Sequence, residues 1–444
     1  MSEVLMRGAY RGIMQMLAAA GAVASAMPGA PPRWRAVADR LGRLDASAQA
    51  MAASAPALWV HAASVGELTA VRPLVGELRE RFPGRVIVVS TLTRTGLALA
   101  RTMPEAHLAV LFPLDADGPV EAVLERFRLE AFLFTETEIW PLWLERLRAE
   151  QVPCIMVSGR VSERTARRAR WLRSLYRAAL AEVTCCMQTE DDARRIVAFG
   201  ADPRRVHVAG SLKFETGAAA VSDEVARLGR AIGAPEQPLI VAGSTHEGEE
   251  AVLAGVYQRL ALAHRDVALL LAPRHLERLD AVEEVVRRAG LPLVRASELL
   301  ADAAPPPHVR ERPLVIVLDR MGLLAQCYRL AAVAFVGGSL VPVGGHNVLE
   351  PAQAGVPVLV GPHTDNARDV VDRLVAAGGA LRVRDDDTLA LALDHLLAEP
   401  GAATVMGQRA RAVAQSGQGA LERHLKIITA RLSTARFARR GAEE

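Results

Sequence analysis

The chain has 444 residues, 51% of them hydrophobic, with Lys+Arg 53 against Asp+Glu 50 and a formal net charge of +3. Single cores stop growing at about 250–300 residues, so two domains are expected; the apolar content excludes a disordered chain, and the small net charge excludes a dedicated nucleic-acid binder. Cys154, Cys185, Cys186 and Cys327 form no C-x-x-C pair, which points away from zinc or redox chemistry; Cys154, Cys185 and Cys186, in or beside apolar runs, read as packed small hydrophobes, and a reducing compartment is the simplest setting.

At the N-terminus, Gly12 to Met27 is apolar but shorter than the roughly 20 residues that span a bilayer. Arg7 and Arg11 precede it, and Arg33, Trp34, Arg35, Arg40 and Arg43 follow. Residues 1–45 therefore read as a segment lying on an anionic leaflet. A short span and a cleavable signal segment are the alternatives, the latter because Ala24-Ser25-Ala26 mimics a cleavage site.

Apolar runs then alternate with helical patterns. The spacing predicts strands at Leu58 to His61, Val86 to Ser90, Leu108 to Phe112, Ala131 to Thr135, Cys154 to Val157, Val183 to Met187 and Val206 to Ala209. A second series follows at Leu239 to Ala242, Val267 to Leu271, Leu314 to Leu318, Ala332 to Val336 and Val356 to Val360. Near-continuous apolar strands separated by helices imply parallel sheets buried on both faces. The fold class is α/β, with two doubly wound, Rossmann-like domains. The expected boundaries are 46–215 for the first, 216–236 for a linker, 237–406 for the second, and 407–444 for C-terminal helices and a tail.

Ligands in such sheets sit beyond the carboxyl ends of strands, and polar clusters follow the strands in that way. His61 to Glu67 ends a strand and opens a helix. Glu67 suits a general base, or completes an S-x-x-E capping box with Ser64. Thr135-Glu136-Thr137-Glu138-Ile139-Trp140-Pro141 carries two carboxylates two residues apart, which point oppositely, so one faces the ligand and the other is structural. Gly210 to Glu215 presents Lys213, whose ammonium suits a leaving phosphate. Arg160, Arg164, Arg167, Arg168, Arg170, Arg173 and Arg177, with Trp171, Leu172 and Tyr176, read as a basic helix, either solvated or facing membrane phosphates.

In the second half, Gly243 to Glu249 follows a strand, and Pro273-Arg274-His275 follows another, with Arg274 able to grip phosphate bidentately. Asp319 to Gly322 offers backbone to a base edge. The richest stretch is Phe335 to Pro351, where an apolar strand runs through Gly337-Gly338-Ser339 and Gly344-Gly345-His346 into a helix starting near Asn347. Glycine pairs permit close ligand approach, a helix N-terminus favours phosphate, and Glu350 is placed to accept from a ribose. The chain has neither a G-x-G-x-x-G after its first strand nor a G-x-x-x-x-G-K-[ST], which argues against dinucleotide and P-loop enzymes. Asp115-Ala116-Asp117 reads as a turn, not a metal motif.

Taken together, His61 to Glu67, Thr135 to Pro141, Gly159 to Thr165, Leu212 to Phe214, Gly243 to Glu250, Pro273 to His275 and Gly337 to Pro351 resemble the Kdo transferases of lipopolysaccharide biosynthesis, Kdo being 3-deoxy-D-manno-octulosonic acid. The resemblance implies the GT-B arrangement of two domains facing across a cleft. It implies inverting transfer of Kdo from CMP-Kdo to a lipid A precursor at the cytoplasmic face of the inner membrane. On this resemblance Glu67 is the general base, and Glu136 and Lys213 stabilise the transition state, with Glu138 the second choice of the glutamate pair. Pro273, Arg274, Met321, Gly322, Leu323, Ser339, Asn347, Val348, Leu349 and Glu350 bind CMP. No cofactor or metal is implied, since a helix dipole and cationic residues can stabilise the leaving phosphate. The N-terminal segment is less apolar than is usual for these enzymes, and Glu215 replaces a usual aspartate. Competing readings are a UDP-sugar transferase or sugar-nucleotide epimerase of the same fold, and a non-catalytic scaffold.

Overall fold

The computed structural model describes residues 3–27, 31–161, 173–215, 221–234, 236–301 and 313–443. They form two compact units, one of Met1–Glu215 with Gly417–Glu444 and one of Thr216–Ser416.

The first unit is built on β1 (Ala57–His61), β2 (Val86–Thr91), β3 (Leu108–Leu111), β4 (Leu129–Thr135), β5 (Cys154–Gly159), β6 (Thr184–Met187) and β7 (Val206–Val208). All pair in parallel, in the order β3-β2-β1-β4-β5-β6-β7. Side chains alternate across the sheet. Trp59 packs on one face with Val88, Phe132 and Trp143, while Leu58 and Val60 pack on the other with Ile87 and Leu133. Both faces are covered, hence the unbroken apolar runs.

The second unit repeats the plan with β8 (Leu239–Thr245), β9 (Ala268–Pro273), β10 (Leu293–Arg295), β11 (Leu314–Val317), β12 (Val333–Val336), β13 (Val358–Val360) and β14 (Ala380–Arg382), ordered β10-β11-β9-β8-β12-β13-β14. Every strand expected from the sequence is present. The sequence gives no sign of β10 and β14, which are three-residue edge strands with partly exposed arginines.

Two boundaries differ from expectation. Of the linker at 216–236, the described part belongs to the second unit: the helix Asp223–Ile232 is capped by Ser222 and buries Val225, Leu228 and Ile232 against β8 residues. The C-terminal segment at 407–444 is divided. The helix Pro400–Gln415 stays with the second unit, whereas Ala420–Glu443 returns to the first and buries Leu425, Ile428 and Leu432 on its sheet. That covering of an apolar sheet face is what brings the chain back. The N-terminal helix Glu3–Ala26 packs on the first unit, with Tyr10 donating to Asp115 at 2.7 Å and Arg11 paired with Asp117. Asp115 also accepts from Leu142 N and Trp143 N, holding the first turn of the helix Pro141–Ala149, so the D-x-D sequence is structural. Arg164, Arg167, Arg168, Arg170, Trp171 and Leu172 of the expected basic helix lie outside the described residues.

The strand orders fix where ligands belong. In each sheet the chain starts centrally, builds one side, then crosses to the other. The reversal falls between β1 and β4 in the first unit and between β8 and β12 in the second, and the crevice at such a switch point is where open α/β sheets bind.

Candidate functional site

At the first switch point, Glu67 stands in the first turn of the helix Val65–Arg81, whose N-cap is Ser64. Its carboxylate accepts from Ala63 N at 3.1 Å, Ser64 Oγ at 2.9 Å and Thr135 Oγ1 at 2.5 Å. Glu67 thus braces the start of its helix, through Ser64 Oγ and Ala63 N instead of the N-cap N–H of a full capping box, and also reaches β4. Burial pushes its carboxyl above the ordinary range; the Thr135 hydrogen bond opposes that rise, and the nearby Glu136 charge adds to it. A half-buried carboxylate at a switch point with a raised pKa is chemically able to exchange a proton with a bound hydroxyl.

Glu136 follows β4 with φ +49° and accepts from Lys213 Nζ at 2.9 Å. Lys213 lies in the short 3-10 helix Leu212–Glu215, anchored where Leu212 N donates to Ser158 Oγ at 2.8 Å. Ser158 N in turn donates to Nε2 of buried His424, whose Nδ1 side is bonded to Ala420 O at 2.7 Å. Burial holds His424 at a pKa of about 4, so this imidazole is a neutral brace from the C-terminal helix. Glu67, Thr135, Glu136, Ser158 and Lys213 line one small pocket. Glu138 points elsewhere, its Oε2 3.8 Å from Nε2 of buried His61. The two glutamates do face apart, and Glu136 is the one beside Glu67.

At the second switch point, Arg274 follows β9 and donates its backbone N–H to Thr245 O at 3.0 Å. Glu350 is half-buried, and burial raises its carboxyl pKa, opposed by the Asn347 Nδ2 hydrogen bond at 3.0 Å and by the Arg274 charge. The helix carrying it, Leu349–Ala354, is short and starts after Val348. Asn347, Glu350 and Arg274 are therefore brought together. Val348 and Leu349 have buried side chains, and Leu349 N donates to Asn347 Oδ1 at 3.0 Å. Met321 is 71% exposed, Gly322 turns with φ +84°, and Leu323 is buried. Pro273 ends β9. Ser339 is buried with its hydroxyl used twice, donating to Val336 O and accepting from Gly361 N, so it clamps two loops.

Glu249 stands in a cluster named from the sequence, Gly243 to Glu249, but has no role there. It is fully buried, and its carboxylate accepts from His246 N, Gly338 N, Ser339 N and Leu340 N at 2.7–3.0 Å. It holds the first glycine pair in place from the start of the helix that follows the neighbouring parallel strand β8. Among the described residues, four non-glycine residues have positive φ, and Glu136, Ser158 and Ser244 are three of them. Strain of this kind collects at functional sites, here at both switch points. No group of three His, Cys, Asp or Glu side chains among the described residues is placed to hold a metal ion.

Residues 35–216 match the family model described as 3-deoxy-D-manno-octulosonic-acid transferase (kdotransferase). A 3-deoxy-D-manno-octulosonic acid transferase of Bordetella pertussis is 37% identical over 88% of this chain and 90% of its own length. The crystal structure of the C-terminal CMP-Kdo binding domain of WaaA from Acinetobacter baumannii is 31% identical, covering 43% of this chain and 96% of that domain, at TM-score 0.39. A putative UDP-N-acetylglucosamine 2-epimerase from Listeria monocytogenes is 15% identical with TM-score 0.52 over 86% of this chain and 97% of that one, a likeness of fold alone. With the two α/β units and the relative from Bordetella pertussis in view, the chain belongs to the 3-deoxy-D-manno-octulosonic acid (Kdo) transferases, a family of glycosyltransferases.

Proposed function

We propose that the protein transfers Kdo from CMP-Kdo to a lipid A precursor of the lipid IVA kind in lipopolysaccharide synthesis, with inversion at the anomeric carbon. The observation that carries this reading is Glu67: a carboxylate of raised pKa, held by Ser64 and Thr135, beside the Glu136–Lys213 pair. In the proposed step Glu67 takes the proton of an acceptor hydroxyl as that oxygen bonds to the anomeric carbon, and the bond to the CMP phosphate breaks with its electron pair leaving on CMP. Lys213, fixed by Glu136, supplies positive charge to the transition state. Arg274 pairs with the donor phosphate, Glu350 accepts from the ribose hydroxyls, and the backbone at Met321 to Leu323 meets the base edge. Arg274 neutralises the leaving phosphate, and no resident metal or cofactor takes part. Mass spectrometry of protein, CMP-Kdo generated in place and tetraacylated lipid A precursor is the test. A gain of one or more Kdo units supports the reading, and no gain while CMP still binds sinks the proposed acceptor.

The membrane reading rests on the N-terminal helix Glu3–Ala26. No helix among the described residues is long and apolar enough to cross a membrane. Leu5, Ile13, Met16 and Val23 nevertheless stand exposed on one stripe, while Met6, Met14 and Ala24 are buried against the protein. A folded helix with an outward apolar stripe suits the surface of the inner membrane's cytoplasmic leaflet. Burying one such side chain is worth ~2 kcal/mol. The double variant Ile13→Glu/Met16→Glu should therefore bind anionic vesicles at least about tenfold more weakly in co-sedimentation, with unchanged melting. Unaltered binding would remove the stripe from the membrane contact.

A further inference from the structure

Three histidines stand beyond the carboxyl ends of adjacent strands in the second sheet: His275 after β9, His246 after β8 and His346 after β12. Nε2 of His246 lies 2.7 Å from Nε2 of His346, with the two rings parallel and 5.0 Å apart between centroids. His275 meets His246 edge-on at 5.6 Å. The reaction as proposed above uses none of them.

A contact of that length between two imidazole nitrogens is a hydrogen bond, so one ring donates its Nε2–H into the lone pair of the other. The neutral pair can accept one more proton, at the free Nδ1 of the donating ring, without breaking the contact. A second would set two N–H groups head to head and is excluded. The groups facing His246 are Glu249, Glu250, His275, Arg278 and His346; those facing His346 are His246, Arg274 and His275. The two acids are already engaged, Glu249 by backbone N–H groups and Glu250 by Arg278 and Thr245. With Arg274 beside them, the imidazoles stay neutral: burial and the surrounding positive groups push His346 down to about 4. What the pair lacks is an anion.

We propose that His246 and His346, with Arg274 alongside, form a subsite for an oxyanion group of the sugar-nucleotide donor, and that its arrival draws one proton onto the imidazole pair. This rests on the donor reading above. It adds a charge that exists only while the donor is bound, which counters the negative charge growing on the departing phosphate. The oxyanion is the phosphate or the sugar carboxylate, and the two sources are separable by probe.

Isothermal titration of the full-length protein with CMP near pH 6.5, in buffers of differing ionisation enthalpy, counts the protons. The parent should take up roughly half to one proton per CMP more than His246→Gln or His346→Gln. The difference is the quantity to read, because a phosphate itself titrates near pH ~6. Proton NMR of the histidine Cε1–H signals gives a second readout on the parent alone: the His346 midpoint should rise from about 4 to above ~6.5 with CMP. Uptake with CMP but not with cytidine assigns the phosphate; uptake with free Kdo and not with CMP assigns the carboxylate. CMP and Kdo binding without extra uptake and without a moved midpoint overturns the subsite and leaves the donor reading standing. Absence of CMP binding overturns the donor reading and the subsite with it.

Discussion

Replacing Glu67 by glutamine should lower turnover by about 100- to 10,000-fold, the range over which a positioned general base acts. CMP affinity should not change, because the proposed CMP contacts all lie in the second unit. The isostere keeps the helix cap: one side-chain oxygen remains to accept from Ala63 N and Thr135 Oγ1, and Ser64 still accepts from the backbone N–H at position 67. The pH profile gives the sign. Burial holds the Glu67 carboxyl above the ordinary range, and only the ionised form can take a proton. Activity should therefore fall as pH drops through a midpoint above the ~4.3 of a free glutamate, and that acidic limb should vanish from the residual activity of Glu67→Gln. Linkage gives a second sign. A carboxyl whose folded-state pKa is raised favours folding while protonated, and this contribution is lost as pH rises through the raised value. At neutral pH the neutral isostere should accordingly melt no earlier than the parent. Full activity in Glu67→Gln, by the mass assay, would remove Glu67 as the base.

Much of this architecture is legible in the chain because it is written in local runs. Stretches such as Val86 to Ser90 and Leu239 to Ala242 are buried on both faces, and such strands need no polar alternation, so their runs show plainly. The polar clusters that follow them fall at the switch points because that is where the chain leaves the sheet. Glu67 and Glu136 could be named for that reason, while the bond between Glu136 and Lys213 joins residues 77 positions apart and leaves no local trace. The edge strands Leu293–Arg295 and Ala380–Arg382 are short and half-polar, with too few residues to build a pattern. The return of Ala420–Glu443 to the first unit is likewise silent in sequence, since an amphipathic helix advertises an apolar face but not which sheet it covers. Ser339 has a part the sequence could not show for a related reason: a serine beside two glycines suits a ligand loop, and only the fold shows its hydroxyl bridging Val336 O and Gly361 N.

Glu249 is the case with the largest structural consequence. In sequence it is one of three glutamates, Glu247, Glu249 and Glu250, around the start of a helix, where acids are ordinary. In the fold it accepts from the N–H groups of Gly338, Ser339 and Leu340, some ninety positions away. Gly338 sits at φ +67°, and its carbonyl accepts from Gly345 N at 2.7 Å, so the second glycine pair, His346 and the start of the helix bearing Glu350 inherit their positions from this carboxylate. Glu249→Ala leaves the N–H groups of His246, Gly338, Ser339 and Leu340 without their acceptor. A buried unsatisfied donor costs about 1–3 kcal/mol, and water entering the vacated space can recover only part of that, so a loss of at least ~3 kcal/mol is expected. For a unit of this size, ~3 kcal/mol corresponds to a fall of about 6–12 °C in melting temperature. Glu249→Gln should fall between parent and alanine, because its amide retains one acceptor but turns an NH2 toward donors. CMP affinity of Glu249→Ala, measured well below its melting temperature, should drop more than about tenfold, since Arg274 and Glu350 then face a loosened loop. Ligand-dependent thermal shift reads both effects at once. A parent-like melting temperature with a parent-like CMP shift would mean that the glycine loop holds itself, and the role assigned to Glu249 would be withdrawn.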